Sequence, residues 1–477
     1  MLRKISYQEM IEKYPQPEKK RADILLDKAL QNVDIKLVIL DDDPTGIQTV
    51  HGVSVYTDWT ANSILAGFQE ENRLFFILTN SRAMTSEQSA KVHCEIAEHI
   101  VRAAKITKKR YLIISRSDST LRGHYPLETN ILRNVIEKYE HSIIDGEIIC
   151  PFLPEGGRYT EGNIHYVLEK DFLIPASDTE FAKDKTFGYK NSHLGMWVEE
   201  KTQGEYAADS LTYISLDELR RQDVDRICNK LMGVENFSKV IVNALDYYDL
   251  KIFTVALYKA IQQGKRFMLR SAASIVKILG GIDDRPLLSQ QELVNINNPN
   301  GGIVLVGSHV KKTTLQLAKL KECPHIKFVE FDVHLVHDDD RFQAEIQRVI
   351  SEAEQEIAAG RTVTVFTRRK RLDLNTGNKE DELQLAEKIS NAVTSIIANL
   401  TVRPRFIIAK GGITSSDVGT KGLQVKKALV FGQILPGIPV WLTGEDSKFP
   451  NMPYVIFPGN VGSETALKDA VEKMQNS

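Results

Sequence analysis

The sequence predicts an α/β protein of two domains, each a mostly parallel sheet flanked by helices, with the active site in the cleft between them. Three observations carry this. Short apolar runs alternate with segments of helical period along most of the chain. Strands separated by about ten or more helical residues read as βαβ units, which build parallel sheets covered on both faces. The 477 residues are too many for one core, since single cores stop growing at roughly 250–300 residues. One stretch between two such series, "GGIDDRPLLSQQELVNINNPNGG" from Gly280 to Gly302, is polar and rich in Asn, Gly and Pro, as linkers are.

The first half offers strands at Lys36–Leu40, Val53–Tyr56, Leu74–Leu78, Tyr111–Ile114, Glu147–Ile149, Val240–Asn243 and Phe267–Leu269. Each is a short apolar run, rich in branched and aromatic residues and bounded by polar clusters. Helical spacing appears over Ser86–Ala104, Leu127–Tyr139 and Leu250–Gln263. The second half repeats the pattern. Its strands are Ile303–Val306, Lys327–Phe331, Thr362–Phe366, Phe406–Ala409, Pro439–Leu442 and Tyr454–Phe457, with helices at Lys312–Lys321, Arg341–Ala358 and Glu380–Asn399. The expected boundaries are a substrate-binding domain over 1–285, a linker over 286–302 and a nucleotide-binding domain over 303–477.

Composition narrows the function. With 42% hydrophobic and 26% charged residues and a net charge of -2, no global field recruits nucleic acid or an anionic membrane. Short basic runs, "KKR" at Lys108–Arg110 and "RRKR" at Arg368–Arg371, read as solvated faces. The cysteines Cys94, Cys150, Cys228 and Cys323 lie far apart without metal-ligand spacing, so reduced thiols in a cytoplasmic setting are expected. The N-terminal stretch has no apolar signal region, and no run is long enough to span a membrane.

Parallel sheets bind ligands beyond the carboxyl ends of their strands, so the residues that follow each strand are informative. In the first half these are "DDDPTG" after Leu40, "TNSR" after Leu78, "SRSDSTLRG" after Ile114 and "CPFLPEGGRYTEG" after Ile149. They bring aspartates and arginines together: Asp42, Asp43, Arg82, Arg116, Asp118, Arg122 and Arg158. Arginine forks match carboxylates, and an aspartate can deprotonate a hydroxyl, a combination suited to a small polyhydroxy acid. In the second half they are "GSHVKKTT" after Val306, "KGGITSSD" after Ala409 and "PGNVGSE" after Phe457. Gly, Ser and Thr at strand-to-helix turns suit phosphate. A substrate domain joined to a nucleotide domain reads as a kinase. Neither the loop GxxxxGK[ST] nor GxGxxG is present, and the absence of the latter disfavours an NAD-dependent oxidoreductase. His51, His124 and His165 lie beside these clusters and read as structural.

On these residues the chain resembles the four-carbon acid-sugar kinase family from about Leu37 to Ala466. The motif Asp-Asp-x-Thr-Gly is matched by Asp42, Asp43, Pro44, Thr45 and Gly46, and T-x-S-R by Thr79 to Arg82. D-S-T-L-R-G stands intact from Asp118 to Gly123. The Pro-x-x-Pro-x-x-Gly-Arg loop is Pro151, Pro154, Gly157 and Arg158, G-S-x-x-x-x-T is Gly307, Ser308 and Thr313, and the paired glycines are Gly411 and Gly412. Three departures mark a divergent branch. Ile413 replaces the acid that usually follows the paired glycines, the nearest acid being Asp417. The late K-S-G-x-F-G segment reads Phe457 to Gly462 without the lysine. The segment "FGYKNSHLGMWVEEKT" lacks the prolines of better-known members.

The resemblance implies an ATP- and Mg2+-dependent phosphotransferase. It would act on the terminal hydroxyl of threonate, erythronate or 3-oxo-tetronate, with domain closure around both substrates. Asp43 or Asp42 would be the base, and Arg82, Arg122 and Arg158 would hold the carboxylate. Thr45, Asp118 and Ser119 would also contact the acid. Gly307, Ser308, Thr313, Gly411, Gly412, Thr414, Ser415 and Gly459 would hold the nucleotide. The metal ligands are left open. The partners expected are the acid and ATP, without nucleic acid or membrane, and a homo-oligomer is compatible. The alternatives are a catalytically silent sugar-acid and nucleotide-binding protein of the same fold, or a kinase for a different hydroxy acid.

Overall fold

A computed structural model of the chain describes residues 4–294, 297–370, 372, 379–459 and 461–475. The chain divides into two compact units, Met1–Val50 with Asp58–Asp284, and His51–Thr57 with Arg285–Ser477. Both are α/β, built on large, mostly parallel sheets flanked by helices. No helix among the described residues is long and apolar enough to cross a membrane.

The first unit is built on seven parallel strands. Their order is Thr212–Ile214, Ser238–Val242, Gly146–Cys150, Phe267–Ser271, Tyr111–Arg116, Lys36–Asp41 and Leu74–Leu78. Every residue of Lys36–Asp41 is buried, as expected of an apolar run covered on both faces. Helix Ser86–Thr107 starts at a capping box between Thr85 and Gln88 and packs on helix Leu127–Glu140. Helix Tyr247–Gln262 starts at a box between Asp246 and Asp249 and packs on helix Lys19–Gln31. Such reciprocal caps satisfy N–H groups that a helix start leaves unpaired.

Three strands run further than their apolar runs. Lys36–Asp41 ends on Asp41, Tyr111–Arg116 on Arg116, and Phe267–Ser271 takes in Arg270. Asp41 and Arg116 are register partners, and Arg116 Nη1 lies 2.8 Å from Asp41 Oδ1. The ion pair offsets the cost of keeping charge in a buried strand.

A small antiparallel sheet, in the order Ile5–Ser6, Phe172–Pro175, Ile164–Glu169 and Arg158–Glu161, completes this unit. Its hairpin turns at Gly162 and Asn163, with φ of 57° and 66°. Two left-handed residues make the turn whose twist suits a two-residue hairpin. The sheet fixes where Arg158 begins.

The second unit's sheet runs in the order Val53–Tyr56, Lys427–Leu435, Ile438–Thr443, Pro453–Phe457, Ile407–Lys410, Ile303–Val306, Thr362–Thr367 and Ile326–Phe331. The first three pairings are antiparallel and the other four parallel. Val53–Tyr56 comes from the first half of the sequence. It belongs here because it pairs with Lys427–Val430, with flanking bonds from Gly52 N to Val430 O (2.8 Å) and Thr57 N to Lys426 O (3.0 Å). Val304, Val306, Leu317, Val440, Val455 and Phe457 lie in one core cluster. That core anchors the ends of the Ile303, Ile407 and Pro453 strands, whose following turns carry the glycines.

Candidate functional site

In the first unit, adjacent strands deliver charge to one edge. Asp42 and Asp43 follow the Lys36 strand, Arg82 follows the Leu74 strand and Asp118 follows the Tyr111 strand. Arg270 is the last residue but one of the Phe267 strand, and Arg158 follows the loop after the Gly146 strand. The carboxylates and arginines interlock. Arg82 pairs closely with Asp43, and its Nη2 lies 3.8 Å from Asp42 Oδ1, while Nη1 lies 3.5 Å from Asp118 Oδ1. Arg122 Nε donates to Asp118 Oδ2 at 2.6 Å, and Arg122 Nη1 lies 3.7 Å from Asp184. Arg116 Nη1 lies 3.4 Å from Asp42 Oδ1.

The two candidate bases differ in what their oxygens do. Asp43 uses both: Oδ2 faces Arg82, and Oδ1 accepts from Thr45 N at 2.8 Å and Thr45 Oγ1 at 2.5 Å. Asp42 Oδ2 is buried without a hydrogen-bond partner. Their acidities diverge accordingly. Burial raises the Asp42 carboxyl above the ordinary aspartate value, and Arg82 and Arg116 offset only part of that. Burial pushes Asp43 upward too, but Arg82, Arg116 and the Thr45 bonds outweigh it and leave Asp43 below that value. Asp41 is pushed up to about 7 by burial against the pull of Arg116. Two neighbouring acids held apart in this way can take different roles.

The arginines divide as well. Arg82 and Arg122 are occupied by carboxylates, whereas no carboxylate among the described residues pairs with Arg158 or Arg270. Arg158 Nε and Arg270 Nε are buried without hydrogen-bond partners, as are the hydroxyls of Ser81, Ser117 and Ser271. Arg270 Nη2 donates to the Arg122 carbonyl at 3.0 Å. Native interiors leave few such groups unsatisfied, so this concentration at one sheet edge marks a polar ligand site. The Phe181 ring covers two arginines, 5.1 Å from Arg122 and 5.2 Å from Arg158. Buried Ser119 contributes its carbonyl, which meets His165 Nε2 at 2.7 Å; burial lowers that imidazole to about 4, so it stays neutral.

Arg270, Asp184 and Phe181 were missed from sequence. Arg270 and Ser271 directly follow the apolar run Phe267–Leu269, so the inspection of strand ends, extended to that strand, finds them. Asp184 and Phe181 come from an irregular segment with no comparable signal.

In the second unit, Gly307, Ser308, Thr313, Gly411, Thr414 and Gly459 converge. Thr313 Oγ1 donates to Gly459 O at 3.0 Å and lies 3.2 Å from Ser308 Oγ. A β-carbon on Gly307 would lie 2.3 Å from Thr414 Oγ1, and one on Gly411 3.0 Å from Ser308 Cβ. Gly411 also has φ of 126°, which side-chain-bearing residues rarely adopt. Gly412 opens the short helix Gly412–Asp417, and Ser415 is turned inward, its hydroxyl donating to Gly411 O at 2.7 Å. Arg369, from the basic run read as a solvated face, is half-buried and donates to Thr314 Oγ1 at 2.8 Å. Its Nε and Nη1 have no hydrogen-bond partner.

This cradle of glycines and hydroxyls fits phosphate. Among the described residues it does not build a metal centre of its own. Ile413 is 67% exposed, Asp417 is engaged by Ser390 and Lys421, and no metal-binding group of acids, histidines and cysteines occurs among the described residues. Asn460 lies outside the described residues.

Comparison with known proteins agrees with this division. Residues 37–279 match the model of a sugar-binding N-terminal domain, and residues 303–467 that of a nucleotide-binding C-terminal domain. No curated protein matches the chain. Among solved structures, a Salmonella typhimurium LT2 protein provisionally called a tRNA synthase is similar at 15% identity and a TM-score of 0.65. The match covers 91% of this chain and 98% of that one. A Haemophilus influenzae protein of the DUF1537 family is similar at 15% identity and a TM-score of 0.61, covering 92% and 100%. These likenesses establish the fold. With both domain models matched in order over nearly the whole length, the chain belongs to the four-carbon acid-sugar kinase family.

Proposed function

We propose that the protein is an ATP-dependent kinase that phosphorylates the terminal hydroxyl of a four-carbon sugar acid such as threonate, erythronate or 3-oxo-tetronate. The observation that carries this reading is the free Oδ2 of buried Asp42 on a sheet edge that also holds Arg158 and Arg270, two arginines without carboxylate partners. An acid substrate supplies the missing anion to the arginines and a hydroxyl to the aspartate.

In this reading Arg158 and Arg270 grip the substrate carboxylate, and Ser81, Ser117 and Ser271 are available to its hydroxyls. Arg82 and Arg122 hold Asp43 and Asp118 and so fix the frame. Asp42 accepts the proton of the terminal hydroxyl as that oxygen bonds to the γ-phosphorus. The bond from the γ-phosphorus to the bridging oxygen breaks, and ADP leaves. The nucleotide's phosphates lie on the turns at Gly307–Ser308, Gly411–Thr414 and Gly459, with magnesium arriving as Mg-ATP. A cytoplasmic setting belongs to the proposal. Alignment and charge neutralisation supply most of the rate in such transfers.

A second reading, a binding protein without catalysis, is favoured by Ile413 and by Phe457, which stand where the family pattern has an acid and a lysine. Screening four-carbon and larger sugar acids for ATP consumption separates the two. The kinase reading expects turnover with at least one acid that Asp42→Asn lowers by orders of magnitude. Binding of acid and nucleotide without turnover on any acid supports the second.

A further inference from the structure

Lys410 ends the strand Ile407–Lys410 in the second unit and is fully buried. Its Nζ donates to the carbonyls of Pro458 and, at 3.3 Å, Gly459, and lies 4.0 Å from the centre of the Phe457 ring. No carboxylate among the described residues pairs with it. An ammonium has three hydrogens, and two are accounted for.

The surroundings are of the same sign. Helix Lys311–Leu320 starts without a side-chain cap and carries Lys311 and Lys312 in its first turn, where the helix dipole is already positive. Arg369 reaches the same helix through Thr314. A positive helix end, three lysines and an arginine, with no acid paired to Lys410 among the described residues, break the usual rule of local charge balance. Such breaks cluster where a ligand completes the site. Lys410 is also the register partner of Phe457, the position at which the family pattern carries a lysine.

We propose that Lys410 supplies the buried positive charge for the nucleotide's phosphates, and that nucleotide binding is accompanied by uptake of a proton at this residue. The proposal rests on the reading that the turns at Gly307, Gly411 and Gly459 hold those phosphates. Burial, with a smaller push from Lys312, lowers Lys410 to about 7 in the free protein. Lys312 on the helix is the titratable group that faces it; Ser308, Thr313, Phe457 and the carbonyls of Pro458 and Gly459 bring no charge. A polyphosphate beside the amine favours its charged form and raises its pKa. Between the free and bound values the complex holds more protons than its parts. Affinity therefore falls as pH rises above about 7, by at most a factor of about ten per unit.

The test is calorimetric titration of the full chain with ADP at pH 6 and pH 8, each in buffers of different ionisation heat. Wild type should take up up to about one more proton per ADP at pH 8 than Lys410→Met does, and close to none more at pH 6. Lys410→Met should bind ADP about ten- to a hundredfold more weakly. Lys410→Arg, which stays charged, should take up no extra proton at pH 8 and retain the pH 6 affinity better than Lys410→Met. Equal proton uptake and affinity in wild type and a folded Lys410→Met overturn the proposal. If that variant does not fold, uptake in Lys410→Arg equal to wild type at pH 8 overturns it. Failure of wild type to bind either ADP or ATP overturns the nucleotide reading beneath it, which is a different result from binding without proton linkage.

Discussion

Asp42 meets Arg116 through one oxygen only: Oδ1 lies 3.4 Å from Arg116 Nη1, while Oδ2 is buried and accepts no hydrogen bond. Asp43, one residue on, has both oxygens engaged by Arg82 and Thr45. The pair thus separates into an acceptor that is available and a bracket that holds the turn. Asp42→Asn is expected to lower kcat by roughly 10²–10⁴-fold, the usual worth of a general base, with ADP affinity unchanged. Asp43→Asn should cost less and should raise KM for the acid through Arg82. Steady-state kinetics on both variants, with ADP titration as control, reads the assignment; the reverse order of kcat losses would transfer the base role to Asp43.

The pH profile follows from the same geometry. The base must be ionised, and burial raises Asp42, so activity should fall as pH drops through a value above the ordinary aspartate pKa. Arg82 is the largest charge opposing that rise, so Arg82→Met should move the acid limb to higher pH. Asp43 adds to the rise, so Asp43→Asn should move it lower. kcat/KM profiles of the three proteins check the order; coincident limbs would remove Asp42 from the proton transfer.

Arg158 and Arg270 are expected to act on the substrate's carboxylate. Each charge-assisted bond contributes about 1.5–3 kcal/mol, so Arg158→Met and Arg270→Met should each raise KM for the acid by roughly ten- to a hundredfold. Lysine should rescue poorly because it lacks the planar fork. Arg122→Met should act differently. Arg122 holds Asp118, and its carbonyl accepts from Arg270 Nη2, so its loss should lower kcat and thermal stability together.

The nucleotide cradle predicts a selective defect. A β-carbon on Gly307 would lie 2.3 Å from Thr414 Oγ1, well inside van der Waals contact, so Gly307→Ala must displace the Thr414 side chain or the turn. ADP affinity should fall by at least about tenfold, roughly 1.4 kcal/mol, with binding of the acid unaffected. Titration with each ligand separately checks this.

Stability has its own test in the first unit. Lys239 and Glu147 are register partners on adjacent strands, both fully buried, with Nζ 2.7 Å from Oε2. Removing one partner strands the other charge, which costs about 3–5 kcal/mol. Glu147→Gln should therefore lower Tm by several degrees, and Glu147→Leu with Lys239→Met should recover much of the loss. Thermal unfolding of the single and double variants measures it.

The sequence carried the frame because the frame is apolar. Runs such as "KLVIL" and "IVLV" are buried along their length, and the structure has strands there. What failed was where polarity persists inside a strand. Arg116 and Arg270 lie in strands whose apolar runs stop short of them; Arg116 is held there by Asp41, a partner no local pattern reveals. The small sheet at Arg158 was hidden because its strands Arg158–Glu161 and Ile164–Glu169 mix polar with apolar residues, although Gly162 and Asn163 between them are a hairpin signal. Val53–Tyr56 was legible as a strand but not as part of the second unit, since its partner, Lys427–Val430, is distant in sequence. In the site, the clusters after strands were legible. Which aspartate is free and which arginine is unpaired depends on side-chain partners, and spacing does not encode them.

The central claim is phosphoryl transfer from ATP to the terminal oxygen of a four-carbon sugar acid. Its most direct test is phosphorus NMR of the protein incubated with Mg-ATP and each of threonate, erythronate and 3-oxo-tetronate. The account predicts a new phosphomonoester, coupled to the protons on carbon 4 of at least one acid, formed with ADP in equal amount and at least about a hundredfold more slowly with Asp42→Asn. ADP without an acid phosphate, or neither product from a protein that binds both ligands, would contradict it.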